Sequence, residues 1–333
     1  MVQSAKNKRI FIVTVILVVA AFIVSICVGK YQIGPATVWK ILMGGETSEM
    51  AVRVFYTLRL PRTLMALIAG VALGFVGSVY QTIFKNPLAS PDIIGVANGA
   101  NLGAAVAIIL FSYNTFLIAA SAFFGGTLVM LLVIALVRSM GDANTTTYIL
   151  AGIVLKAVSE SMIMLLKLFA DPSKELAAIE FWSMGSFGNI TASKLFVVFP
   201  LFLLGFLGLI LLRRQIALLG LEDEESRALG VRIGPIRIAM LGFSTLIVTS
   251  VICMTGLISF IGLIAPHIAR LALKRTSFAT CVLASFVGAF ILLTADCLAR
   301  SLYSAEIPIS ILTTFIGLPS LIYFMRSRKA RRI

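Results

Sequence analysis

Lys156, Glu160 and Lys167 share an otherwise apolar segment, at spacings of four and seven residues. In a helix those offsets set all three side chains on one stripe. Charge at such a depth is costly, and it points to a water-filled path or to an interhelical ion pair, with Lys167 alternatively reaching outward to the interface. Glu160 and Asp296 are the only acidic groups suited to proton coupling, where an ion-driven carrier would more comfortably show several. His267 is the single histidine, so no multi-His metal site can form and only one imidazole is left for a Ser-His-Asp arrangement. It reads as a hydrogen-bonded structural group. The four cysteines, Cys27, Cys253, Cys281 and Cys297, lie in or beside apolar segments without metal-like spacing. No Gly-x-x-x-x-Gly-Lys-Ser/Thr loop occurs, so any ATP, with its Mg, belongs on another subunit. No catalytic residue, metal ligand or cofactor is assigned to this chain.

The elements that must position these groups are membrane helices. Of 333 residues, 59% are hydrophobic and 13% charged, against roughly a quarter charged in an average soluble domain. Apolar runs of about twenty residues recur throughout, each long enough for a hydrocarbon core of about 30 Å. Continuous runs such as 10–28 exclude the alternating pattern of a barrel, so the fold class is all-α and polytopic. The first run is preceded by Lys6, Lys8 and Arg9, but its length and the apolar chain after it favour a first helix over a cleaved signal.

Ten spans are expected, at 10–29, 63–84, 93–111, 115–137, 147–169, 194–212, 236–254, 257–273, 278–298 and 307–325, all in one membrane domain over 1–333. With the N-terminus inside, about 18 of the 28 Lys and Arg fall on the cytoplasmic side and about eight outside. Both termini are therefore expected in the cytoplasm. The net charge of +14 is spread along span ends, which fits orientation in a lipid membrane and not a nucleic-acid face. Long connections are expected outside at 31–60 and 170–193, and inside at 213–235, the most polar stretch, with room for one or two short helices. Gly70 with Gly74, and Gly95 with Gly99 and Gly103, mark faces where helix backbones approach closely.

Local motifs are more specific than these patterns. From Arg59 the chain reads RLPRTLMALIAGVALGFVGSVYQTIFKNPLASPDIIGVANGA, followed by FWSMGS at Phe181, LEDEESRALGV at Leu221, GLISFIGLIAPHIARL at Gly256 and LLTADCLARSLYSAEIP at Leu292. This ordered set resembles the FecCD permeases of ATP-binding-cassette importers for iron-siderophore complexes, haem and cobalamin, over about Arg59 to Met325. The resemblance implies a type II importer permease in the bacterial cytoplasmic membrane, paired with a second permease subunit, identical or not, around a central path. It implies two cytoplasmic ATPases and an external substrate-binding protein as further partners. An iron-siderophore complex is the expected cargo, with haem or cobalamin as alternatives and an ion-coupled secondary transporter as the rival of another class.

Carried over residue by residue, the resemblance makes Arg59, Arg62 and Arg300 an outer docking site for acidic residues of the binding protein; headgroup anchoring is the alternative reading. Guanidinium groups suit carboxylates because they pair bidentately and stay charged. Gly220, Asp223, Glu224, Ser226, Leu229 and Gly230 match the segment that couples to the ATPase, though the family favours Gly and Ala where Glu222 and Ser226 stand. A solvated acidic turn is the plainer reading of that loop. Asn86 and Pro87 match an inner-face turn, and Pro266, His267 and Arg270 an inner-face block at the end of span eight. Ser310, Ser320 and Leu321 depart from the family pattern near span ten.

Overall fold

The computed structural model describes residues 2–111, 114–141, 144–303 and 305–329. Its helices are α1 (Val2–Cys27), α2 (Pro35–Leu42), α3 (Glu49–Val54), α4 (Leu60–Ile83), α5 (Val96–Leu110), α6 (Thr115–Ser139), α7 (Thr145–Phe169), α8 (Glu175–Met184), α9 (Ala192–Leu211), α10 (Arg213–Leu219), α11 (Asp223–Ala228), α12 (Ile233–Thr255), α13 (Ile261–Leu273), α14 (Phe278–Ser301) and α15 (Ile309–Lys329). No strand occurs among the described residues.

Seven helical segments among the described residues are long and apolar enough to cross a membrane, and three shorter apolar helices lie at Val96–Leu110, Ile261–Leu273 and Ile309–Pro319. Together they occupy the ten expected spans. The shorter members begin late for a local reason. Gly95 and Phe260, just before α5 and α13, both adopt left-handed backbone (φ 88° and 68°), so the chain enters these helices from an irregular turn. Irregular backbone at such depth survives only where protein satisfies it. Around α13 it does: Ser186 N donates to Thr255 O at 2.7 Å, Ser310 Oγ to Leu257 O at 2.8 Å, and Ile309 N to Gly185 O at 3.1 Å. Three connections are thereby knitted together at one end of the bundle. Side chains of Ser320 and Leu321 lie outside the described residues.

Helix α4 is the centre of the bundle, packed against α14 and α13 and buried along most of its length. Gly74 explains the close approach: a Cβ there would collide with the Ala284 carbonyl of α14. Gly103 plays the same part between α5 and α6, where a Cβ would strike the backbone of Ser121. Small residues thus supply contact where lipid gives no hydrophobic drive for association. Side-chain caps fix several entries: Asn114 accepts from Phe116 N and Leu117 N, and Asn144 from Thr147 N.

Candidate functional site

Charged groups gather at both ends of α4 and along α7. The end near Arg62 and the end near Lys85 are separated by about 35 Å at 1.5 Å per residue.

The Arg62 end begins with a distortion. Residues Phe55–Arg59 form a π-helical turn, in which Leu60 N reaches back to Phe55 O, just before Pro61, which has no N–H of its own to offer. Arg59 is buried there, and its guanidinium donates to Ile26 O at 2.8 Å, Cys27 O at 2.6 Å and, very closely, Tyr31 O. It therefore closes the end of α1. Arg62 Nε donates to Asp296 Oδ1 at 2.8 Å, and its Nη1 pairs with Glu306. Arg300 lies 3.5 Å from the other oxygen of Asp296 and donates to Ser25 O and Oγ at 2.6 and 2.7 Å. Asp296 is fully buried (0% exposed), so two guanidinium groups compensate one desolvated carboxylate.

The three expected arginines are thus brought together, but their guanidinium groups are turned into the bundle. They still line a cavity of about 250 Å³ with Lys30, Tyr31, Leu58 and Glu306, where four cations face one carboxylate. Glu306 in turn accepts from Ser186 Oγ at 3.3 Å. Of the groups missed as members of this set, Glu306 lay in plain view inside the SLYSAEIP block, and Lys30 at the end of the first apolar run.

At the Lys85 end, the expected polar segment forms two short helices, α10 and α11. Ser226 is buried and its Oγ donates to Leu218 O at 2.8 Å, clasping α11 to α10. Gly230 takes φ 80°, as the tight turn out of α11 requires. Leu229 is 61% exposed, Gly220 and Glu224 are exposed, and Asp223 faces inward. Asp223 Oδ1 accepts from Lys85 Nζ at 2.6 Å, and Oδ2 from Arg237 Nη2 at 3.4 Å. Partial burial pushes the Asp223 carboxyl up, but the Lys85 hydrogen bond and the Arg237 and Lys85 charges outweigh it and hold it below the ordinary carboxylate value. Neither cation was foreseen, although Lys85 directly precedes the Asn86-Pro87 turn. In that turn Asn86 Oδ1 accepts from Leu88 N at 2.9 Å, and Lys85 itself takes left-handed backbone (φ 49°). Pro266 is buried in α13, with His267 and Arg270 half-buried on the same helix.

Along α7, Lys156 Nζ lies 3.7 Å from Glu160 Oε1, with the two side chains 36% and 45% exposed. Glu160 also accepts from Asn98 Nδ2 of α5 at 2.9 Å. Lys167 is drawn away to Glu180 of α8 at 2.7 Å. The stripe is thus two separate pairs, not one row, and half-exposed charge in the middle of an apolar helix is costly against hydrocarbon.

The molybdate import system permease protein MolB of Haemophilus influenzae is 35% identical over 94% of this chain and 93% of its own length. The ferric enterobactin transport system permease protein FepG of Escherichia coli is 34% identical over 93% of this chain and 94% of its own. A solved structure described as an inward-facing metal-chelate type ABC transporter superposes with TM-score 0.86 and 32% identity, covering 96% of this chain and 99% of that one. The family model of the FecCD transport family matches residues 16–327. The apolar helices of the described residues, the extent of that match and these relatives together place the chain: it is a multi-pass membrane protein that belongs to the FecCD transport family, the permease subunit of an ABC importer whose ATP hydrolysis resides in partner subunits.

Proposed function

We propose that this permease passes an iron-siderophore complex across the bacterial cytoplasmic membrane, as one of two permease subunits joined to two ATPases and an external binding protein. The observation that carries the assembly is the separation of its polar surfaces. A cation-rich cavity at the Arg62 end and the α10–α11 segment at the Lys85 end lie at opposite ends of α4. The excess of cations in the cavity suits carboxylates of a delivery protein, and Arg59, Arg62 and Arg300 form its walls. The exposed Glu224, Leu229 and Gly230 suit insertion into a groove of the ATPase, with Ser226 holding the segment's shape and Asp223 tying it to the bundle through Lys85.

Charge placement supports both termini in the cytoplasm, the Arg62 end outside and the whole chain as one membrane domain. Lys156 and Glu160 then border a path completed by the second permease subunit, which keeps their half-exposed charges out of lipid. Alternating access follows if ATP binds one arrangement of the complex more tightly than the other. The iron-siderophore cargo rests on relatives such as FepG, named for ferric enterobactin, while MolB is named for molybdate.

Proteoliposomes holding the permease, its ATPases and its binding protein test the proposal. ATP-dependent uptake of radio-iron as a ferric siderophore is expected, with little uptake of haem or molybdate. ATP-dependent molybdate uptake alone would overturn the cargo. Transport by the permease alone under an ion gradient would overturn the assembly.

A further inference from the structure

Asp223 is the one carboxylate of the α10–α11 segment that turns away from solvent-facing duty and is shared between two different parts of the bundle. Its Oδ1 takes Lys85 from the turn that ends α4, 138 residues earlier in the chain. Its Oδ2 takes the guanidinium of Arg237, which belongs to α12 and is only 1% exposed. That guanidinium also lies 5.9 Å from the ring centre of Tyr148, near the start of α7. Tyr148 in turn packs against Phe84, beside Lys85, with ring centres 6.2 Å apart. One side chain on α11 is therefore tied to α4 and α12 directly, and to α7 through one further contact. Helix α7 carries the Lys156–Glu160 pair two turns beyond Tyr148.

We propose that Asp223 is the positioning residue through which displacement of the α10–α11 segment is handed to the ends of α4 and α12. This rests on the reading of that segment as the one that meets the ATPase. Elsewhere the segment is held by Ser226 to itself, through Leu218 O, by the apolar burial of Ile216 and Leu219, and by the solvent-exposed Glu222, whose carboxylate lies 3.8 Å from Lys85. Burial holds a segment in place but is not directional, whereas two charge-assisted hydrogen bonds on opposite oxygens fix both distance and orientation. A moving α11 must either draw Lys85 and Arg237 with it or separate a carboxylate from two cations.

Hydrogen exchange of the intact complex with its ATPases, with and without ATP and vanadate, tests this without knowledge of the cargo. In the wild type, nucleotide should change exchange at 220–229 together with 84–96 and 230–240. In Asp223→Asn the change at 220–229 should persist while those at 84–96 and 230–240 fall severalfold, and Asp223→Glu should restore them. Co-purification of the ATPases should be unaltered in both variants, because Asp223 faces the bundle. Asp223→Asn with all three regions still responding together would overturn the proposal, and so would loss of ATPase association in that variant. A wild-type complex in which nucleotide leaves 220–229 unchanged would instead defeat the coupling reading itself.

Discussion

The two ends of α4 solve the same electrostatic problem differently. At the Arg62 end, two guanidinium groups enclose the fully buried Asp296, and Arg59 is spent on backbone carbonyls of the α1 terminus. At the Lys85 end, Asp223, one third exposed, is divided between a half-buried lysine and a buried arginine, and the exposed Glu222 lies 3.8 Å from the same lysine. The first arrangement ties transmembrane helices to one another and has no way to relax without stranding a charge. The second ties a peripheral segment to the bundle, with water at hand to stabilise an opened state. The difference separates a junction whose opening strands buried charge from one whose opening water can compensate.

Variants can break that contrast, and the largest effect is expected at Asp296. Asp296→Asn removes the charge that offsets Arg62 and Arg300 and should cost about 3–5 kcal/mol, read as a lowered unfolding midpoint in detergent. A change near zero would mean the network is not enclosed as described. A smaller loss, about 1 kcal/mol, is expected for Glu306→Gln, since Arg62 keeps Asp296. That variant also strips the cavity of its one carboxylate, so affinity for the binding protein should rise; a fall would argue against the cavity as a docking site. Smallest is Lys156→Ala, where a half-exposed pair spaced four residues apart contributes only about 0.3–0.5 kcal/mol. Stability should hardly move while transport rate changes severalfold, and unchanged transport would remove the α7 stripe from the path.

The sequence disclosed the fold well because lipid imposes one rule on every span: a helix must satisfy its own backbone. Hydropathy and length located the seven long and three shorter apolar helices of the described residues, and the small residues at 70 and 74 and at 99 and 103 marked true close approaches. Late starts at α5 and α13 were hidden, because apolar composition continues through Gly95 and Phe260 while the backbone does not. The site was half legible. Arg59, Arg62 and Arg300 were picked out by the resemblance to the FecCD family, yet their inward direction depends on a π turn and on partners distant in sequence: Ile26, Cys27 and Tyr31 for Arg59, and Asp296, 234 residues on, for Arg62. Asp223 was visible as part of an acidic turn, but nothing local pairs it with Lys85 or Arg237. Pairings across such separations are set by helix packing, which no short window of sequence encodes. The α7 stripe shows the converse limit: helical spacing aligned Lys167 with Glu160, and the nearby Glu180 of α8 took it away.

Everything functional here requires that the cation-rich cavity and the α10–α11 segment open to different compartments. Single cysteines at Lys30 and at Glu224, in a background with Cys27 and Cys297 replaced, test this with a membrane-impermeant maleimide on intact cells. The account predicts that Lys30→Cys is labelled directly and Glu224→Cys only after the membrane is permeabilised; labelling of both from the same side would contradict it.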